Sequence, residues 1–365
     1  MISTQASTLL AKTTNPCIIS KAIYSIEENS IGVRLYQVNK CSSQIIKQTF
    51  NDELKIDIVS KIFDGKKVII PQDLHDLIIN YFVSMIQKTS PYNINQKYII
   101  ISDYLRYAIN ASSFINNLEN ATKIKVYDKT AEQTVDMVVL STLNNLIKQP
   151  GAKRLLEANL TLFNLTKTKI LLKNFSKDFT IGKGFSIHNF STLSLEKFIK
   201  KDFLRWSIFS KSKSINPMGK KKAEDVIKVF KKYLLPKISK EFLMDGQSEI
   251  NINEPSVKKY TTYLNGPGKK KIKEISRSLI ITGSTVLESI EALKIRGSWL
   301  RKDHLEKKIL EFSEMSDKRI PSNNPKITVV NLILLYGYMD LMGYEKAYIQ
   351  ESNFEEGFLL HPDYH

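Results

Sequence analysis

The turn at Glu27–Ser30 is the first stretch of the sequence whose residue types could do chemistry. It lies within Ile23–Val38, where two runs rich in β-branched and aromatic residues predict a β-hairpin. Short turns of this kind form phosphate sites when glycine lets backbone N–H groups approach the anion. Here Glu27 and Glu28 occupy the turn. The sequence therefore leaves open whether this is an altered phosphate loop or an ordinary hairpin.

Histidine and cysteine give little sign of metal or nucleophilic chemistry. The five histidines are scattered without the spacing of a metal site, and His304 is expected to be a surface residue of a charged helix. The two cysteines, Cys17 and Cys41, argue against a disulfide framework and against a zinc ribbon. Because we find neither a bilayer-spanning apolar segment nor a clear signal peptide, we expect a cytoplasmic protein in a reducing setting, with no membrane partner.

The net charge of +17 is unevenly distributed along the chain. Between Lys200 and Lys240, thirteen Lys and Arg residues stand against three acids, and a second basic run follows at Gly268–Lys273. Such density suits a polyanion: polyphosphate, a nucleotide or nucleic acid. A solvated, lysine-rich surface is the alternative. Apolar residues at helical spacing between Lys220 and Leu234 predict a helix that carries its lysines outward.

The elements that must position these residues alternate between strands and helices. After the hairpin, the pattern predicts strands and helices in turn: a strand at Gln44–Phe50, a helix at Pro71–Gln87, a strand at Tyr98–Ser102, a helix at Tyr104–Glu119, a strand at Lys123–Tyr127 and a helix at Glu132–Ile147. The pattern restarts after Pro150-Gly151 with three strand-like runs and then a long basic helical tract. We therefore predict an α/β protein of two similar halves, 1–150 and 151–365, with a cleft between them.

Within this pattern, the segment Ser102–Asp136 resembles the signature of the exopolyphosphatase/guanosine pentaphosphate phosphohydrolase (Ppx/GppA) family. Arg106, Ala108 and Asn110 stand at its three fixed positions, and Glu132 falls on the carboxylate of its E-E-A element. Later segments agree in order and spacing. They include Ile281–Thr285, which resembles the family's G-G-T turn, and SNFEEGFLL near the end, which resembles its closing A-G-L-R-E-G-L element.

The resemblance implies a pair of actin-like, ribonuclease-H-like domains that enclose a phosphate cleft. It also implies hydrolysis of terminal phosphates from polyphosphate or guanosine pentaphosphate with Mg²⁺ or Mn²⁺, and it leaves room for a homodimer. By this likeness Glu132 would activate the attacking water and Glu157 would hold the metal. The phosphates would be bound by Asn29, Ser30, Arg106, Gly283, Ser284 and Thr285.

The sequence departs from the family pattern at both phosphate loops. In the first loop, D-x-G-S-N-S in the family, Ser25 stands at the metal-side aspartate and Glu27 at the glycine. The second loop, D-x-G-G-G-S-T-E in the family, is matched to Glu157–Asn164, where every glycine is absent. We expect the carboxylates of the first turn, with Leu160 and Leu162, to obstruct the cleft, with Arg106 nearby. Lost backbone donors and repulsion between like charges both disfavour bound phosphate.

Three functions therefore remain open from the sequence. The first is a divergent phosphohydrolase with weak or lost activity. The second is a pseudoenzyme of the same fold that binds a polyanion or a protein partner without hydrolysis. The third is a basic nucleic-acid-binding protein, which the order and spacing of the matching segments disfavour.

Overall fold

A computed structural model describes most of the chain, and two β-sheets with flanking helices form its framework. The described residues are 16–42, 44–63, 68–149, 152, 155, 159–167, 169–175, 181–187, 191–200, 214–244 and 277–361. Three predictions lie outside these residues: the boundary at Pro150-Gly151, the basic run Gly268–Lys273 and the assignment of Glu157 as a metal ligand. The division at residues 150 and 151 stays a prediction.

The first sheet contains five strands from the N-terminal part of the chain. They are β1 (Ile18–Ile26), β2 (Ser30–Asn39), β3 (Gln44–Lys55), β4 (Gln96–Ile101) and β5 (Val126–Asp128). Their order is β3-β2-β1-β4-β5. The first three strands are antiparallel neighbours, whereas β4 runs parallel to β1, and β5 to β4. The predicted hairpin is confirmed, because β1 and β2 pair along their whole length.

Four α-helices accompany this sheet. They are α1 (Ile58–Ile62), α2 (Gln72–Lys88), α3 (Ala111–Thr122) and α4 (Ala131–Lys148). The apolar positions predicted for α2 recur at helical spacing, and Leu74, Ile78 and Phe82 are buried against the sheet. The helix predicted at Tyr104–Glu119 is divided, since a 3₁₀ segment at Asp103–Tyr107 precedes α3.

The second sheet repeats the arrangement of the first. Its strands are β6 (Asn159–Leu165), β7 (Ile170–Phe175), β8 (Ile181–Ile187), β9 (Arg277–Thr282), β10 (Trp299–Arg301) and β11 (Lys346–Ile349). The order is β10-β11-β9-β6-β7-β8. Read from β8 to β11, five strands have the same order and directions as β3-β2-β1-β4-β5, and β10 is added at the edge. The predicted repetition of the layout is confirmed.

Helices α5 (Thr192–Phe198), α6 (Lys220–Met244), α7 (Ser284–Glu291), α8 (Lys302–Ser313), α9 (Pro325–Met342) and α10 (Phe354–Leu360) complete the described chain. Helix α9 is buried on nearly every side because α6, α7 and α8 pack around it. No helix in the described ranges is both long and apolar enough to span a membrane. Strand β9 ends at Thr282, and Gly283, with φ 102°, turns the chain into α7.

Helix α6 confirms the helix predicted between Lys220 and Leu234. Its buried face contains Ala223, Val226, Ile227 and Phe230, and these residues join the core of the second sheet. Lys221, Lys222 and Lys228 are exposed, as the spacing predicted. Residues 201–213 of the predicted basic tract lie outside the described residues.

A third core joins the two sheets through α4 and α10. It combines Ile23 and Ile100 of the first sheet with Leu160 and Leu162 of the second. The two helices approach closely at Gly357, where an added Cβ would lie 1.8 Å from the carbonyl oxygen of Met137. Only glycine permits this contact without displacing one helix, so this residue fixes where the C-terminal segment lies.

Cys17 and Cys41, whose number argued against a disulfide framework, form one disulfide with Cα atoms 5.4 Å apart. The hairpin register explains the pairing. Ile18 pairs with Asn39, so the residues just beyond these two positions are brought together at the open end of β1 and β2. Counting cysteines could not show this.

Candidate functional site

The β1–β2 and β6–β7 turns, together with the start of α7 and α10, enclose a cavity of about 460 Å³. The two turns occupy equivalent positions in the repeated strand arrangement. Residues 27–30 line the cavity from the first turn, and Asn164, Thr166 and Lys169 line it from the end of β6 and the second turn. This is the cleft that the sequence predicted between the halves.

The side chain of Glu28 spans this cleft. Its Oε2 accepts a hydrogen bond from the backbone N–H of Lys167 at 2.7 Å, and the Oγ1 hydroxyl of Thr285 donates at 3.5 Å. The carbonyl oxygen of Glu28 accepts from the backbone N–H of Ile58 at 3.0 Å, which holds the turn in place. A carboxylate is therefore bound by a turn N–H and by a hydroxyl at a helix N-terminus, which are groups that also bind phosphate oxygens.

Two buried lysines of the second turn are paired with carboxylates of the first half. Lys167 Nζ lies 2.7 Å from Asp57 Oδ2, and Lys169 Nζ contacts Asp103. Both lysine side chains are only 3% exposed. Burial opposes ionisation of Asp57, but the hydrogen bonds from Lys167 and Ser60 hold its pKa below the ordinary value. These pairs fasten the turn and neutralise cations that would otherwise attract phosphate.

A third contact across the cleft centres on Glu355 at the start of α10. Its Oε1 accepts from the hydroxyl of Ser25 at 2.6 Å and also contacts Arg34. The Glu355 side chain is 1% exposed, and Asn353 Oδ1 accepts from its backbone N–H, which fixes the helix start. Sequence reasoning missed Glu355. Its place within FEEG, in a segment with a family likeness, was the one available signal.

The lining of the cleft is acidic although the whole protein is basic. Among the described residues, three basic side chains line it: Arg34, Lys55 and Lys169. Burial raises the pKa of Glu27, Glu288 and Glu356, because the charged form loses hydration. The nine lining carboxylates are those of Glu27, Glu28, Glu53, Asp103, Glu288, Glu291, Glu351, Glu355 and Glu356.

This arrangement of sheets and cleft has clear counterparts among solved structures. A Ppx/GppA family member from Aquifex aeolicus is 14% identical, with a TM-score of 0.65 over 94% of this chain and 97% of that one. The chain has the Ppx/GppA fold. An exopolyphosphatase from Cytophaga hutchinsonii gives 11% identity and a TM-score of 0.63, over 93% and 96% of the two chains. An exopolyphosphatase-like protein is 10% identical, with a TM-score of 0.65 over 94% of this chain and 97% of that one.

These similarities are structural. No protein-family model and no curated protein matches the sequence. The predicted fold class, two actin-like α/β domains with a cleft between them, is confirmed by the Ppx/GppA fold and by the two repeated sheets. At 10–14% identity the likeness establishes the fold, and activity must be argued from this chain's own residues.

The Ppx/GppA fold places some predicted site residues in the cleft. Asn29, Ser30, Gly283 and Ser284 line the cavity. Thr285 is buried behind them and contacts the Glu28 carboxylate. The first turn and the start of α7 are therefore brought together, as the resemblance implied.

Two other predicted residues lie apart from the cavity lining. Arg106 is exposed and pairs with Asp128, its Nε 2.6 Å from Oδ2. Glu132 is exposed in the first turn of α4, whereas Thr134 and Val138 of the same helix line the cavity. Their roles in phosphate binding and catalysis stay predictions.

The expectation that Leu160 and Leu162 obstruct the cleft is wrong. Both lie within β6 and are buried, at 1% and 0% exposure, in the core that joins the sheets. The match of the second phosphate loop to Glu157–Asn164 places it on a strand. In the Ppx/GppA fold of this chain, the turn that faces the cleft begins after Leu165 and ends at Lys169.

The described residues do not fit the Mg²⁺ or Mn²⁺ that the family resemblance implies. Among them, no group of three or more His, Cys, Asp or Glu side chains could hold a metal ion. Asp57 and Asp103 are paired with lysines, and Glu28 accepts hydrogen bonds from protein groups. A divalent ion would have to displace these partners.

Proposed function

We propose that this protein uses the Ppx/GppA fold as a non-catalytic polyanion-binding protein. The observation that carries the proposal is the Glu28 carboxylate, which is bound between the second turn and the start of α7. A phosphoryl group needs those same donors, and it would meet a fixed negative charge there.

The chemistry of phosphoryl transfer supports this proposal. Such transfer depends on positioning and on neutralising charge at the phosphoryl oxygens. The cleft has nine carboxylates and three basic side chains along its lining. Of these bases, Arg34 contacts Glu355 and Lys169 contacts Asp103. A polyphosphate would therefore enter an acidic cavity whose strongest cations are already paired.

The position of Glu132 supports the loss of hydrolysis. A general base must lie within hydrogen-bond reach of the attacking water, either directly or through one further water. Glu132 is exposed at the start of α4 and does not line the cavity among the described residues. The buried carboxylate of Glu355 accepts a hydrogen bond from Ser25, which stands at the family's metal-side position, and it also contacts Arg34.

The polyanion would bind on the outer surface of α6. Lys221, Lys222 and Lys228 are exposed there, and Lys228 has one weak ion pair, 3.8 Å from Asp225. Lysines on one helix attract phosphates without a shaped pocket, and binding of this kind releases counterions. Affinity is therefore expected to fall steeply with salt.

Residual hydrolase activity is the second candidate function, because one observation favours a ligand in the cleft. Both polar atoms of the Asn29 amide and Oδ1 of Asn164 are buried without a hydrogen-bond partner in the described chain. Both residues line the cavity. Unpaired buried polar atoms cost stability, so a small polar ligand or water is expected to satisfy them.

Polyphosphate binding at a series of salt concentrations tests the proposal. Reversing the charge of Lys221 and Lys222 to Glu is expected to weaken binding by about tenfold or more and to lower the salt dependence. Reversing Lys97 to Glu, an exposed residue on β4, is the matched control. Binding that does not depend on the salt concentration, or that is unchanged when Lys221 and Lys222 are replaced by Glu, contradicts the proposed surface.

A further inference from the structure

We propose that a pocket between the loop before β10 and the first turns of α8 binds a mononucleotide. The pocket has a volume of about 420 Å³ and shares no lining residue with the cleft. It combines exposed cations that have no ion pair among the described residues with a partly exposed aromatic ring.

Of the four Lys and Arg side chains that line the pocket, three have no ion pair among the described residues. The fourth, Arg301, is paired with Asp303, because its Nε and Nη2 donate to the two carboxylate oxygens at 2.9 and 2.7 Å. Lys294, Arg296 and Lys307 are exposed along the rest of the lining. In the cleft, by contrast, the lysines are paired with carboxylates. This pocket is therefore a stronger site for an anion than the cleft is.

Trp299 supplies the aromatic part of the pocket. Trp299 is 39% exposed, although Trp is usually well covered in folded proteins. The β10–β11 pairing sets Trp299 opposite Tyr348, whose ring packs edge-on at 5.2 Å, and Lys346 Nζ lies 4.5 Å from the indole centroid. The ring is thus held in place by β11 while part of it faces the pocket.

The combination selects the class of ligand. A simple phosphate would need the cations alone, whereas an exposed, fixed indole is a surface on which a nucleobase stacks. Arg and Lys beside it can bind the phosphate by charge-assisted hydrogen bonds. The volume lies within the range of small-molecule pockets. We therefore assign the base to Trp299 and the phosphates to Arg296 and Lys307.

The backbone shapes the pocket for such a ligand. Lys294 adopts φ 52° and Gly297 adopts φ 85°, so the loop turns sharply before Trp299. The neighbouring Ala292 and Leu293 are buried in the core of the second sheet and anchor that loop. The cations therefore stand on a loop whose base is fixed.

Tryptophan fluorescence tests this assignment directly, because the chain contains two tryptophans. In a full-length Trp206→Phe background, emission from Trp299 is followed while adenosine 5′-diphosphate is added at low salt without metal. We expect saturable quenching. Reversing the charges in an R296E/K307E variant should weaken the apparent affinity by about tenfold or more. A K97E variant on β4 should leave it unchanged.

Further ligands separate the contributions of the ring and the phosphates. Pyrophosphate and adenosine should each bind more weakly than the diphosphate, with pyrophosphate measured by calorimetry because it carries no ring. Absence of saturable quenching, or quenching indifferent to the R296E/K307E change, overturns the proposal. A short oligothymidine that binds Trp299 more tightly than the diphosphate also overturns it, in favour of single-stranded nucleic acid. Circular dichroism checks that each variant is folded.

Discussion

Glu28 in the first hairpin turn accepts a hydrogen bond from the backbone N–H of Lys167 in the second, with the two atoms 2.7 Å apart. The two turns are equivalent in the repeated strand arrangement, and both face the cleft. One turn thus binds the other through a carboxylate, at a place where the fold presents groups suited to an anion. The protein's own side chain satisfies these donors.

Replacing Glu28 with Ala should both destabilise the protein and make it responsive to phosphate. The change leaves the Lys167 N–H buried without its acceptor, which costs about 1–3 kcal/mol. Added tripolyphosphate should then raise the melting temperature of the variant while leaving the wild type unaffected. Thermal unfolding with and without tripolyphosphate measures both effects.

Glu53→Ala is the control for this experiment. Glu53 lines the same cavity, but it forms an ion pair with Lys55 on its own strand, at 3.2 Å. An equal response of the Glu28 and Glu53 variants to tripolyphosphate would show that general loss of negative charge, and not an emptied anion position, explains the effect.

The Lys169–Asp103 pair should behave as a coupled, buried contact. Lys169→Met leaves the carboxylate of Asp103 buried without its cation, at a cost of about 3–5 kcal/mol. Combining it with Asp103→Leu should recover most of that loss, because no charge then remains unpaired. Urea denaturation of the two single variants and the double variant completes the cycle. Additive losses would rule out the coupling.

Gly357→Ala should disrupt the packing of α10 on α4. The new Cβ would lie 1.8 Å from the Met137 carbonyl oxygen, and neither backbone can yield without moving its helix. We expect a loss of about 3 kcal/mol or more in the free energy of unfolding. Gly32→Ala is the matched control, since its Cβ meets atoms no closer than 3.5 Å, and it should change stability little.

Glu288→Gln should stabilise the protein at neutral pH. Burial raises the pKa of Glu288 in the folded state, although Lys55 and Lys167 partly oppose the shift. The folded state then holds the proton more tightly than the unfolded state. The stabilisation from Glu288 is therefore present in acid. It is lost as the pH rises from the ordinary pKa of 4.5 through the raised pKa of the folded state.

Melting temperatures measured from pH 4 to pH 8 test this direction of the pH dependence of stability. The Glu288→Gln variant should exceed the wild type at pH 7, and the difference should shrink towards pH 4. Glu224→Gln, on the exposed face of α6, is the control and should show no such trend. A variant that is less stable than the wild type at pH 7 would contradict the assigned direction.

The fold could be predicted from the sequence because the patterns that indicate it are local. Alternation within Ile23–Val38 and helical spacing within α2 depend on neighbouring residues, and both predictions are confirmed. The repeated layout of the halves followed from the order of such elements. The second phosphate loop was misplaced because its turn, without glycine, resembles the end of a strand more than an anion-binding loop.

The candidate site was harder to predict because its contacts join segments that are distant in the sequence. Arg34 and Glu355 are 321 residues apart, and Glu28 and Lys167 are 139 apart. A single sequence gives no sign of which buried carboxylate meets which lysine. The prediction that carboxylates of the first turn stand in the cleft agrees with the structure. The residues that bind those carboxylates could be identified only from the packing of the folded chain.

Release of inorganic phosphate from long-chain polyphosphate and from guanosine pentaphosphate, with magnesium or manganese, distinguishes a non-catalytic protein from a hydrolase. The purified protein is compared with Glu132→Ala in the same assay. We expect no release by the wild type above the level of the variant, because Glu28 occupies the anion position and Glu132 lies outside the cavity lining. Robust turnover by the wild type that disappears in Glu132→Ala would contradict it.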